Sequence, residues 1–184
     1  MKITCQSVFA AAIVVMGVAA VWIAAYSFNE GILAITAYSD RANWIFLPAS
    51  IRLIAVLLFD EVGAVGLALG AFVTAWFGMA HDWPYCFGLA VSSAIAPMIA
   101  VAGCRQFVAS GRDLAGLRPI GIAILSIACA GANALLLNGY LGAIGRLQSN
   151  FSQVAIVLVG DTLGTAIVLF ILSGLLTFSL PKRR

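Results

Sequence analysis

Charged side chains are scarce in this chain. They make up 9% of its 184 residues, where a soluble domain carries about a quarter. That shortage excludes a soluble core of this size. Polar stretches are short as well, and none reaches the roughly 50 residues an independent domain needs. Any catalytic or output domain is therefore expected on a separate chain. Only one histidine is present, His81, in a short loop beside Asp82 and Trp83. There is no second metal ligand near it, no paired carboxylates and no phosphate-cradling glycine loop. The sequence thus offers no catalytic residue, no metal site and no cofactor motif, and an enzyme is not expected. The four cysteines (Cys5, Cys86, Cys104, Cys129) show neither C-x-x-C nor zinc-like spacing, and they form no disulfide framework. Cys129, inside an apolar run, reads as a small core residue. A net charge of +3, from basic residues scattered along the chain and clustered at its C-terminus, is no signal for nucleic acid.

What the chain has instead is apolar length. Hydrophobic residues make up 63% of it, and the mean hydropathy is +1.09. A helix crossing about 30 Å of hydrocarbon needs about 20 apolar residues. Apolar runs read against polar breaks predict an all-α, polytopic bundle of six spans, at 7–27, 43–59, 62–80, 86–103, 119–140 and 153–178. Segment 31–38 is too short to cross and reads as an interfacial or re-entrant piece. Only Asp60-Glu61 separates the second span from the third, which predicts a tight helical hairpin. With the N-terminus inside, cytoplasmic segments hold seven basic residues (Lys2, Arg105, Arg112, Arg118, Lys182, Arg183 and Arg184). External segments hold two, Arg41 and Arg146. This positive-inside bias predicts both termini in the cytoplasm. Tyr26, Tyr38, Trp44, Trp76, Trp83, Tyr85 and Tyr140 fall at or near the outer ends of these spans; Trp22 lies one turn deeper. A cleavable signal peptide is the competing reading of residues 1–27, from Lys2, the apolar core and Ala24-Ala25. The length of the run and the anchors Trp22 and Tyr26 favour a retained span.

Two charges lie deep in apolar runs, Arg52 and Asp161. Each costs about 2.5–3.5 kcal/mol at a helix centre on insertion scales, so each needs a partner or a purpose. At 1.5 Å per residue, Arg52 sits roughly 13 Å, Asp161 roughly 12 Å and Asn133 roughly 10 Å from the outer ends of their spans. Three strongly polar side chains from three helices share one level. Two readings are open: a polar pocket in the outer half, with Arg52 binding a small anion, or a buried ion pair that fixes helix register. Pro48, one turn before Arg52, is expected to kink the second span. Pro97 has only the bland reading, a proline tolerated in a membrane helix.

Small residues mark close helix contacts. Gly63, Gly66 and Gly70 give the third span a small-residue face, and Gly160 and Gly164 flank Asp161. Both are expected to pack within the bundle, with dimerisation as the alternative for the first. Ala11, Ala12, Gly17, Ala19 and Ala20 make the first span another candidate for close contact. Arg105, Arg112 and Arg118, in one cytoplasmic loop, suit lipid headgroups or a docking partner, or simply set the topology. The tail from Pro181 to Arg184 reads the same way.

The stretch Trp44-Ile-Phe-Leu-Pro48-Ala49-Ser50-Ile51, the following Gly70-Ala71-Phe72 and the late Gly160-Asp161-Thr162-Leu163-Gly164 resemble the MASE1 family of bacterial membrane sensor modules. The resemblance covers about a third of the chain; members of the family are longer and have more spans. It implies a sensory module coupled to a kinase or a cyclic-di-GMP enzyme. By size and layout the chain is also similar to the substrate-binding subunits of energy-coupling-factor vitamin transporters, which work with partner ATPases. The expected function is accordingly a non-catalytic, MASE1-like sensory or scaffolding module. It would bind a small ligand, or sense the bilayer, through Arg52, Asn133 and Asp161, and signal to a separate protein partner through residues 104–118. A substrate-binding transporter subunit is the alternative. A purely structural assembly subunit is the third class.

Overall fold

The computed structural model describes residues 5–32, 35, 37–39, 42–78, 81–104, 119–146 and 151–179. Five helices carry the fold: α1 (Cys5–Ile32), α2 (Ala49–Gly78), α3 (Trp83–Cys104), α4 (Pro119–Ala143) and α5 (Phe151–Ser179). Among the described residues, four of them are long and apolar enough to cross a membrane: α1, α2, α3 and α4. Two short strands, β1 (Ala37–Ser39) and β2 (Ala42–Asn43), pair antiparallel between α1 and α2. Of the interfacial or re-entrant piece expected at 31–38, residues 31–32 close α1 and 37–39 form the first strand of a small ribbon, while 33, 34 and 36 lie outside the described residues.

The distribution of side chains is inverted relative to a soluble protein. Phe9, Phe77 and Leu135 are among the large apolar residues facing outward, while Asn29, Arg52, Ser93, Asn133, Asn138 and Asp161 are buried. Water cannot surround an apolar exterior of this extent without cost, whereas lipid can. The packed interior is built largely of small residues, such as Ala55, Ala64, Ala71, Ala75, Ala96, Ala100 and Ala134. They let helix backbones approach closely where no hydrophobic effect pulls the helices together.

α2 is one element only in name. Asp60 lies inside it at φ 49° and ψ −129°, far from helical values, and the chain turns back on itself there. A straight helix would hold residues 55 and 63 about 12 Å apart, yet a methyl group built on Gly63 would collide with the carbonyl of Ala55. The two arms, 49–59 and 61–78, lie side by side as the predicted hairpin. The second arm runs parallel to α1. Gly66 seats Val18, Gly70 seats Ala19 and Trp22, and Trp22 Nε1–H donates to Thr74 Oγ1 at 3.2 Å. The face of Gly63, Gly66 and Gly70 is thus used inside the bundle. α3 follows, with Gly88 receiving the ring of Tyr140 from α4 and the Tyr140 hydroxyl donating to the Pro84 carbonyl at 2.9 Å. α4 ends in a left-handed cap. Gly145 (φ 68°) closes it, with Gly145 N–H on the Gly142 carbonyl and Arg146 N–H on that of Leu141. Arg146 then pairs with Asp82 at the same end of the bundle.

The positive φ at Asp60 yields a first prediction. A side chain there is strained, and glycine is not. Asp60→Gly is expected to raise the stability of the detergent-solubilised protein by about 1 kcal/mol. A thermal melt checks it; a drop in melting temperature would mean that the Asp60 carboxylate holds the turn more strongly than its backbone strains it.

Candidate functional site

The site begins with six residues that do not form the helix predicted for them. Residues 43–59 were expected as one span, but α2 starts at Ala49, and residues 43–48 run across α5 as a non-helical strap. Non-helical backbone inside a membrane bundle is tolerated only where protein groups satisfy it, and the amides of Phe46 and Leu47 have such partners. Phe46 N–H donates to the Gly160 carbonyl at 3.1 Å, Leu47 N–H donates to Asn29 Oδ1 at 3.0 Å, and Pro48 has no N–H. Asn43 Nδ2 also donates to Glu30 Oε1 at 3.3 Å. The two glycines flanking Asp161 make room for this. A methyl group on Gly160 would strike the carbonyl of Asn43, and one on Gly164 that of Phe46.

Pro48 therefore does not kink a helix, as was predicted; it precedes one. Its missing N–H and fixed φ suit a helix start, and the carbonyls of Phe46, Leu47 and Pro48 accept the amides of Ala49, Ser50 and Ile51. The actual break in α2 is twelve residues on, at Asp60.

This start places Arg52 in the first turn of α2, turned into the bundle. Arg52 Nη1 donates to Asp161 Oδ2 of α5 at 2.5 Å, and Asn133 Nδ2 of α4 donates to the same oxygen at 2.8 Å. The three are 2%, 3% and 1% exposed, so all three residues singled out by depth meet. The guanidinium also lies over two aromatic rings, Trp22 at 5.2 Å and Phe46 at 5.3 Å from the ring centroids. Such cation–π contacts gain strength when desolvated. Cys129 of α4 is buried close enough to feel the charges of both Arg52 and Asp161. Two atoms in the cluster are buried without a partner: the Nε of Arg52, a donor, and the Oδ1 of Asn133, an acceptor.

Sequence reasoning missed Trp22, Phe46 and Asn29. Trp22 was read as an interface anchor; it is 1% exposed and roofs the arginine. Its position one turn deeper than the other outer aromatics was the available signal. Tyr85, read with those aromatics, is buried in a cluster with Ala75, Cys86, Leu137 and Leu141. His81 is exposed, with φ 64° and its ring edge-on to Trp76. Pro97 lies buried inside α3. Arg105, Arg112 and Arg118, together with Lys2, Arg41 and residues 181–184, lie outside the described residues. Among the described residues no group of three His, Cys, Asp or Glu comes together.

A helical bundle with an apolar exterior and a buried, aromatic-flanked ion pair defines the class: an α-helical membrane protein. No family model, no curated protein and no solved structure matches the chain.

Proposed function

We propose that the chain is a six-span bacterial inner-membrane protein with both termini in the cytoplasm, and a non-catalytic sensory or scaffolding module of MASE1-like type. The hairpin at Asp60 supports the span count, because it turns one long apolar helix into two rods and lets rods successive in the chain alternate in direction. The excess of basic residues in the segments assigned to the cytoplasm supports the orientation. The first arm is only eleven helical residues, about 16 Å; with the strap 43–48 ahead of it, the chain has the length to complete a crossing.

One observation carries the ligand reading. The cluster of Arg52, Asp161 and Asn133 leaves one donor and one acceptor buried and unpaired. A pair retained only to set helix register is expected to satisfy such groups, because each orphan costs about 1–3 kcal/mol. A small ligand, anionic by its affinity for Arg52, is the natural occupant. Occupancy would shift the strap and the first arm, and the arm ends at Asp60, on the side of the proposed output segment 104–118. The strap lying across the outer side of the cluster favours a second reading, the substrate-capturing subunit of a multi-subunit transporter.

Purification of the tagged protein from its host in mild detergent, with mass spectrometry of the co-eluting chains, tests the proposal. A histidine kinase or a cyclic-di-GMP enzyme is the expected companion. ATPase subunits with a second membrane subunit would replace the sensor by the transporter. A chain that travels with neither would overturn both partner readings.

A further inference from the structure

We infer that Arg52 and Asp161 form a proton-gated oxyanion site, in which a small planar monoanion binds Arg52 only as Asp161 takes up one proton. The inference rests on the ligand pocket proposed above and names its chemistry. Arg52 and Asp161 are both buried, and their charges cancel. A further anion entering that interior would leave one negative charge uncompensated, the costliest arrangement a buried site can hold. Neutralising Asp161 removes the excess. The proton adds to a carboxylate oxygen of Asp161, the anion takes over the Arg52 guanidinium, and the net charge of the site stays at zero.

The neighbouring groups fit both states. With Asp161 ionised, its Oδ2 accepts from Arg52 Nη1 and Asn133 Nδ2. With Asp161 protonated, its new O–H needs an acceptor, and Asn133 supplies one in its unpartnered Oδ1. Arg52 likewise holds an unused donor in its buried Nε, which can receive an oxyanion before Nη1 is released. The rings of Trp22 and Phe46 beside the guanidinium keep water out and favour a flat or small anion. Among the described residues, the charged and titratable groups near Asp161 are Arg52 from α2 and the Cys129 thiol from α4. The strap residues over Gly160 and Gly164 are Asn43, Trp44, Phe46 and Leu47, none of which titrates.

Nitrate is the probe of choice, being planar, monovalent and without a titration of its own near neutral pH. Calorimetric titration of the full chain in nanodiscs is expected to show nitrate affinity rising about tenfold for each unit fall in pH, the signature of one proton taken up per anion. Asp161→Asn, which keeps the shape and removes the charge, is expected to bind nitrate at every pH with no proton uptake. Arg52→Gln is expected to bind none. Equal and pH-independent affinity in wild type and Asp161→Asn would keep the pocket and overturn the proton gate. No nitrate binding by either protein, with Asp161→Asn melting cooperatively, would overturn both the gate and the anion-pocket reading beneath it.

Discussion

Arg52→Leu is expected to destabilise the bundle by about 3–5 kcal/mol, because it strands the Asp161 carboxylate in a dry interior with Asn133 as its one remaining partner. Most of that loss comes from the stranded charge and little from the attraction itself. The double variant Arg52→Leu with Asp161→Leu is therefore expected to recover most of the stability, since a packed apolar pair can equal or exceed a buried ion pair. Melting curves of wild type, both single variants and the double form a cycle that isolates the coupling. A double variant no more stable than Arg52→Leu would show that packing against Trp22 and Phe46, and not the ion pair, is what Arg52 provides. The same double variant tests function. If protein level and partner association both survive it, the cluster is packing only, and the assembly-subunit class stands.

Gly164→Val is the second large effect. Its side chain would be driven into the Phe46 carbonyl, a backbone atom held in place by the α2 start and by the neighbouring bond from Phe46 to Gly160. Overpacking a core costs about 1–3 kcal/mol where side chains can yield; a fixed backbone places this variant at the top of that range or beyond. Releasing the strap also frees Leu47 N–H from Asn29 and lifts Phe46 from Arg52. Gly17→Ala is the internal control, because nothing lies within 4 Å of the position a methyl group would take. The expected result is a large fall in melting temperature for Gly164→Val and none for Gly17→Ala. Equal behaviour of the two would mean that the strap is not seated on α5.

The sequence made the large features legible through single dominant forces. Apolar runs placed α1, α3, α4 and α5 nearly where they lie, because few alternatives to a helix satisfy the backbone in lipid. Asp60-Glu61 revealed the hairpin because two adjacent carboxylates cannot be left in mid-membrane. Depth alone brought Arg52, Asn133 and Asp161 to one level, since rise per residue is fixed. The start of α2 was not legible. Residues 43–48 are apolar enough for a helix, and what keeps them out of one is tertiary: the Gly160 carbonyl, the Asn29 amide and the glycine floor of α5, all distant in sequence. Pro48 was recognised as a disturbance of the helix, but a proline reads alike as kink or as start until its neighbours are known. Trp22 was hidden for the opposite reason. A tryptophan near a membrane boundary looks like an anchor, and its bond to Thr74 and its place over Arg52 show it turned inward.

The bond between Arg52 and Asp161 joins residues 109 apart in the chain. At synthesis rates of about 5–20 residues per second, the arginine is added to the chain roughly 5–22 s before the aspartate. Over that interval the cation in the first arm of α2 has Trp22 and Phe46 to lie against but no carboxylate. Its final seating must wait for α5, so the folding of this bundle closes on an early segment and not on its last helix.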